Sequence, residues 1–265
     1  MSEPSLAHAQ DGVSAPPEAD AFPEEAFRHL AALEERHAWF RARNRLIVWA
    51  LERYFPDTRR LLEVGCGTGV VLGAINRRFP EVELVGADLS LRALRIAGTR
   101  AAADLVQLDA QAMTFDDEFD VVCAFDVLEH VDADLDVLSR LAQAARPGGG
   151  LLVTVPQYRW LWSPADDYGR HRRRYTKGEI EDKIARAGFA PIRSTAWVCM
   201  LLPVVALSRL RDRRAGERFD PCRELRTSNP VNRALEMVLD AERIAIQRGL
   251  TLPFGTSRLV VARKR

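Results

Sequence analysis

The sequence withholds most of the marks that would fix its class at a glance. No apolar run reaches the roughly 20 residues that a membrane-spanning helix needs. The opening residues, MSEPSLAHAQDGVSAPPEADAFPEE, have neither a basic start nor an apolar centre, so they do not read as a signal peptide. Their Pro, Ala, Ser and acidic content predicts a disordered leader over 1–22. None of the four cysteines, Cys66, Cys123, Cys199 and Cys222, forms a C-x-x-C pair, and no histidine stands at zinc-site spacing. That pattern argues against a disulfide framework and predicts a reducing, cytoplasmic compartment and chemistry without a metal. Charge of one sign is not in excess either: 38 Lys and Arg face 37 Asp and Glu, net +1. A general attraction to nucleic acid is therefore not expected. Internal repeats are also missing.

What is present is a dense alternation of short apolar runs and helical patterns. From Glu24, Phe27, Leu30 and Leu33 repeat at helical spacing until HAWF (37–40) interrupts, and a second helix is predicted near 41–55, with Pro56 ending it. Strands are predicted at RLLEV (60–64), VELVGA (82–87), DLVQL (104–108), FDVVCAF (119–125), LLVTV (151–155), PIRSTAWV (191–198) and SRLVVAR (257–263). Helices are predicted between them at 70–79, 91–100, about 133–145, and from a Thr176–Glu179 capping box to Ala187. Pro147-Gly148-Gly149-Gly150 reads as a turn. Strands joined by helices imply a doubly wound, mostly parallel sheet. The stretch before the last strand is about 55 residues, far beyond an ordinary connection, and predicts a helical insertion. The chain thus divides into a leader (1–22), an N-terminal helical lid (23–56), a sheet core (57–198), a helical insertion (199–252) and the core's last strand (253–265).

The chemistry concentrates at the strand ends. LLEVGCGTGVV (61–71) follows a buried strand with Gly65, Gly67 and Gly69 at every second position. In a doubly wound sheet this first turn faces the ligand crevice, and glycine lets backbone approach a ligand closely. The spacing G-x-G-x-G is not the dinucleotide fingerprint G-x-G-x-x-G, and no Gly-Lys-Ser/Thr follows for a phosphate loop. A nucleoside ligand without a pyrophosphate fits better. Asp88, at the end of the second strand in VGADLS, is suited to accept from both ribose hydroxyls. Asp109-Ala110 close the third strand's run, where an acid can accept from an adenine amine and apolar neighbours can stack on the ring. FDVLEHV (125–131) brings Asp126, Leu128, Glu129 and His130 to the same edge.

LEVGCGTG, VGADLS, LDAQAM, FDVVCAFDVLEHV and ARPGGGLLVTVP together resemble the successive motifs of class I S-adenosylmethionine-dependent methyltransferases, in particular the bacterial small-molecule subgroup with a methyltransferase 11/12-type domain. HAWFRARNRLI (37–47) and HRRRYTKGEI (171–180) resemble segments flanking that domain in some members. The likeness covers about residues 37–198, weakly the insertion, and not the leader. It implies a seven-stranded Rossmann-like sheet of order 3-2-1-4-5-7-6 with the seventh strand antiparallel, S-adenosylmethionine as cofactor, and methyl transfer to a small-molecule acceptor, oxygen first, with nitrogen or carbon open. Carried over by position, it implies that Gly65, Gly67 and Gly69 run along the methionine moiety with Glu63 ordering the loop. Asp88 with Leu89 would hold the ribose, Asp109 and Ala110 would face the adenine, and Phe125 and Asp126 would lie beside the methionine end.

Other roles stay open on the residues alone. His130 and His171 are both candidates for a general base towards a hydroxyl acceptor, because histidine titrates near neutral pH; a scaffold role competes for each. Trp39 and Phe40 read either as a lid over the crevice or as packing, and Arg43 as a partner for the methionine carboxylate. The loop QYRWLWSPADDYGRHRRRY (157–175) offers Tyr158, Trp162 and Tyr175 as substrate contacts. WVCMLLPVVALSRLRDRR (197–214) has three competing readings: packing on the sheet edge or a second subunit, a hydrophobic pocket wall, or a peripheral membrane contact. The chain is read as a monomer or homodimer in the cytoplasm, membrane-associated if the third reading holds. A nicotinamide-dependent oxidoreductase and a non-catalytic cofactor-binding partner subunit remain as alternatives.

Overall fold

The computed structural model describes residues 6–7, 31–215 and 227–265. Its strands are β1 (Leu6–Ala7), β2 (Arg60–Val64), β3 (Glu83–Asp88), β4 (Asp104–Gln107), β5 (Phe119–Phe125), β6 (Ala145–Pro156), β7 (Phe189–Trp197) and β8 (Ser257–Lys264). They form one sheet in the order β1-β4-β3-β2-β5-β6-β8-β7. Counted from β2, the seven longer strands run 3-2-1-4-5-7-6, all parallel except β8, which pairs antiparallel with both β6 and β7. Of the predicted leader, only Leu6–Ala7 are described, and they pair in parallel with Leu105 and Val106 at the sheet edge rather than standing apart from the fold. The remainder of 1–22 lies outside the described residues, as does Cys222.

The helices are α1 (Ala38–Tyr54), α2 (Val70–Arg78), α3 (Leu91–Ala97), α4 (Asp134–Ala144), α5 (Pro164–Tyr168), α6 (Lys177–Arg186), α7 (Leu202–Ala215) and α8 (Asn229–Gln247). Strand residues alternate between two apolar layers, as the period of two requires. Leu61, Val121, Cys123, Leu152 and Leu259 face the layer holding Leu46, Ile47, Leu51, Leu72 and Leu94. Leu62, Val122, Ala124, Leu151 and Val260 face the layer holding Leu138, Leu141, Ile180 and Ile184. With helices on both faces, the strands are buried on both sides and read as unbroken apolar runs. Each such Leu contributes about 1.5–3 kcal/mol when fully buried.

Two local expectations change. HAWF does not break the helix as a unit: His37 alone stands between helical residues 31–36 and α1, its Nδ1 accepting from the Trp39 N–H at 3.2 Å as an N-cap. Trp39 and Phe40 are therefore helical. The Pro147–Gly150 turn is instead part of β6, whose register against β5 slips between Phe119 and Val121. Gly150 lies under Phe55, where a Cβ would stand 2.5 Å from the ring, so that glycine serves close packing within a bulged strand. The insertion is helical as expected, in α7 and α8.

Candidate functional site

Gly65, Gly67 and Gly69 all take positive φ, at 66°, 53° and 74°. A Cβ on Gly69 would stand 2.7 Å from that of Ala97, so this position seats α2 against α3. A Cβ on Gly67 would meet nothing within 4 Å, so the space over it is open to a ligand. The carboxylate that holds the loop is Asp88: it accepts from the Gly67 N–H at 2.8 Å and from the Ser90 N–H at 2.8 Å. Burial raises its pKa, and these backbone bonds oppose that shift. A carboxylate has lone pairs for about four hydrogen bonds, so Asp88 retains capacity for ribose hydroxyls. Leu89 beside it is 52% exposed.

Glu63 lies under the loop rather than in it. It is buried, and its Oε2 has no partner. Burial pushes its pKa up to about 8, against the pull of the nearby Arg43 charge. Among the described residues, the side-chain bond to the loop backbone comes from Asp88.

At the far end of β4, Asp109 Oδ1 accepts from the Gln111 N–H at 2.9 Å, and Ala110 packs against the Met113 side of the core. Phe125 is buried in the layer that holds Leu46, Ile47 and Leu72. Asp126 follows in the left-handed region at φ 56°, its N–H donating to Thr154 O at 2.9 Å. Arg43, reaching from α1, donates to Asp126 Oδ2 at 2.5 Å. Its guanidinium lies 4.8 Å from the Trp39 ring centroid and 5.5 Å from that of Phe40. Trp39 in turn stacks on Trp197 at 5.4 Å. The lid reading of this segment is thus joined to packing: the same residues cover the β5 tip and bind α1 to β7.

Past Asp126, residues 128–130 form a short 3₁₀ turn that brings His130 against His171, ring centroids 4.7 Å apart and nearly perpendicular. Glu129 is buried with Oε2 unpartnered. Burial and the Asp126 charge raise its pKa well above the carboxylate range, while Arg174 and Arg43 pull the other way. Desolvation and the His171 charge lower the His130 pKa to about 4, while bonds to the Gly169 and Asp126 backbone and the Asp126 charge pull the other way. His171 Nδ1 lies 2.8 Å from Asp166 Oδ1.

The predicted substrate loop divides. Tyr158 takes φ 62° and its hydroxyl reaches Pro253 O at 3.4 Å, with Trp160 stacked beside it. Trp162 Nε1 donates to Asp167 at 2.9 Å. Tyr175 is not a substrate contact: it is fully buried and its hydroxyl donates to Asp134 at 2.7 Å, within a network shared with Lys183 and Arg173. Sequence reasoning did not single out Asp166. Its S-x-x-D relation to Ser163 marks a helix start, but its link to His171 depends on how the loop folds back. A separate cavity of about 590 Å³ along α1, α2 and α8, lined by Asn44, Trp49, Arg77 and Arg243 among others, contains none of the strand-tip carboxylates. The chemistry-bearing groups lie at the tips, not on that flank.

Among the described residues no helix is long and apolar enough to cross a membrane. The sequence is 33% identical to the ubiquinone biosynthesis O-methyltransferase of Aeromonas salmonicida over 104 residues, 37% of this chain and 43% of that one. It is 30% identical to the malonyl-[acyl-carrier protein] O-methyltransferase of Methylococcus capsulatus over 155 residues, 53% of this chain and 55% of that one. The chain therefore spans about two fifths to just over half the length of these curated relatives. The fold is similar to phosphoethanolamine N-methyltransferase 2 of Haemonchus contortus, solved with S-adenosyl-L-methionine: TM-score 0.52, 22% identity, covering 81% of this chain and 51% of that one. It is also similar to an S-adenosylmethionine-dependent methyltransferase of Archaeoglobus fulgidus, with TM-score 0.52 and 19% identity over 83% and 94% of the two chains. A methyltransferase-domain family model matches residues 27–194, more than half of the sequence, and the chain belongs to that family.

Proposed function

We propose that this protein transfers a methyl group from S-adenosylmethionine to a hydroxyl oxygen of a small molecule. One observation carries the reading. The glycine loop, Asp88, Asp109 and Asp126 stand at the carboxyl ends of four neighbouring parallel strands, in the order in which a nucleoside joined to an amino acid would meet them. The open space over Gly67 suits the thioether chain, and Asp88 suits the ribose. Arg43 and Asp126 carry the two charges that a methionine zwitterion complements.

Methyl transfer is an in-line displacement. The acceptor oxygen attacks the methyl carbon, the carbon–sulfur bond gives its electron pair to sulfur, and the sulfonium becomes a neutral thioether. Holding the two reactants in line supplies much of the acceleration. Oxygen is favoured because the curated relatives are O-methyltransferases. A hydrophobic acceptor is favoured by the apolar groups near the β6 and β8 ends, where Trp160 is 54% and Phe254 60% exposed. The exposed Met200, Val204 and Leu207 fit contact of 197–214 with a membrane surface or a second subunit of a homodimer. Nothing in the crevice favours hydride transfer.

Titration calorimetry with S-adenosylhomocysteine tests the cofactor half of the proposal, and failure to bind overturns it. Labelled-methyl transfer into an extract of the source cells, with mass identification of the product, tests the acceptor half.

A further inference from the structure

Asp166 is 1% exposed and is the acceptor of an unusual number of donors. The Ser163 N–H and hydroxyl reach it at 2.8 and 3.1 Å, and Arg174 Nε and Nη2 at 2.7 and 3.0 Å. His171 Nδ1 completes the set at 2.8 Å. Burial alone would raise its pKa; the bonds from His171 and Arg174 outweigh burial and hold the carboxyl below the usual range. Asp166 is therefore an anion with no proton to give, so the hydrogen shared with His171 sits on Nδ1. The His171 backbone N–H also donates to Asp166 O at 2.9 Å, which fixes the ring's starting point.

With Nδ1 committed, the remaining lone pair of His171 is on Nε2. Gly169 lies close to that edge, where a Cβ would stand 3.1 Å from Nε2, so a larger residue there would press on it. The charged and titratable groups around the ring come from three places. Asp166 faces it from α5, Glu129 and His130 from the turn after β5, and Arg174 from its own segment; Asp126 and Arg43 lie beyond Glu129. A carboxylate oxygen and the two imidazoles come within 4.8 Å of one another there.

We propose that Asp166 positions His171 as the proton acceptor for the methyl-accepting hydroxyl, with the His130 ring packed edge-on against it. This rests on the methyl-transfer reading and deepens it by choosing between the two histidines. In the step, the acceptor O–H proton passes to His171 Nε2 as the oxygen–methyl bond forms and the carbon–sulfur bond breaks. The resulting imidazolium is stabilised by Asp166 without proton transfer between them. His130 is the poorer acceptor, because its surroundings and His171 disfavour its charged form.

The test needs no known acceptor. Long-range proton–nitrogen spectra of the full chain with S-adenosylhomocysteine report the tautomer of each histidine ring. The expected result is His171 with its proton on Nδ1 and a bare Nε2 at neutral pH, a preference lost in Asp166→Asn. A proton on Nε2 of His171 in the wild type, or an unaltered tautomer in Asp166→Asn, overturns the proposal. The wild-type spectrum decides even if the variant misfolds. Binding of S-adenosylhomocysteine with the wrong tautomer sinks this inference alone, whereas absence of binding sinks the methyl-transfer reading. Once the extract assay labels a product, Asp166→Asn should slow it about 10²-fold or more.

Discussion

Asp88 Oδ2 accepts from the backbone N–H of Gly67 across 2.8 Å, so the residue proposed to hold the ribose also shapes the loop beside it. Asp88→Ala removes both functions and leaves the Gly67 and Ser90 N–H groups without their acceptor. Hydrogen bonds to a charged group contribute about 1.5–3 kcal/mol each. The affinity for S-adenosylhomocysteine should fall at least tenfold by calorimetry, with cooperative unfolding retained. An affinity within twofold of wild type would take Asp88 out of the site.

Arg43 and Asp126 form an ion pair whose side chains are 8% and 22% exposed, and a methionine zwitterion carries the matching pair of charges. Arg43→Met and Asp126→Asn should each weaken S-adenosylhomocysteine binding tenfold or more. 5′-Methylthioadenosine has the nucleoside and the sulfur but no amino acid, and its affinity should change less than threefold. Equal losses for the two ligands would mean that the variants act by disturbing the pocket as a whole, because a broken buried pair leaves an uncompensated charge.

The sheet and the crevice edge were legible because their signals are local. Strands buried on both faces read as apolar runs, and the acids and glycines of the proposed site sit within a few residues of those runs. Leu61, Leu62, Asp88 and Asp126 needed no knowledge of distant parts of the chain. What escaped the sequence depends on backbone paths. The Asp166–His171 bond closes within a loop whose course no periodicity sets. Tyr175 looked like a pocket residue among arginines, but Asp134 from α4 draws its hydroxyl into the core. The glycines at 148–150 have the composition of a turn, and the ring of Phe55 over Gly150 marks the close packing that calls for glycine there. Likewise, a single N-cap at His37 was enough to keep Trp39 and Phe40 helical.

Glu63 should leave a mark on the pH dependence of stability. Its carboxyl ordinarily titrates near 4.5, and in the folded protein burial moves it to about 8. Between those values the folded state binds more protons than the unfolded one, so this group's contribution falls as pH rises. A neutral amide of the same shape escapes that loss. Glu63→Gln should therefore unfold at higher urea than wild type at pH 8, by about 1–3 kcal/mol, since each pKa unit is worth about 1.4 kcal/mol and relaxation recovers part of it. The difference should shrink towards pH 5. A gap that widens on acidification would mean that Glu63 is ionised in the fold.

The hydroxyl of Tyr175 tests whether the loop after β6 is anchored for stability or for substrate. Tyr175→Phe keeps the ring in its fully buried place and removes one bond to Asp134, which keeps Lys183 at 2.7 Å and Arg173 at 3.1 Å. A net loss of about 1 kcal/mol is expected for one intramolecular hydrogen bond. Urea unfolding reads that loss directly, and S-adenosylhomocysteine affinity should stay within twofold. The two cations left on Asp134 hold its carboxyl low, so the network should survive the substitution. A KM for the identified acceptor that rises tenfold with stability unchanged would return Tyr175 to the pocket and require the 157–175 loop to adopt another path when the acceptor binds.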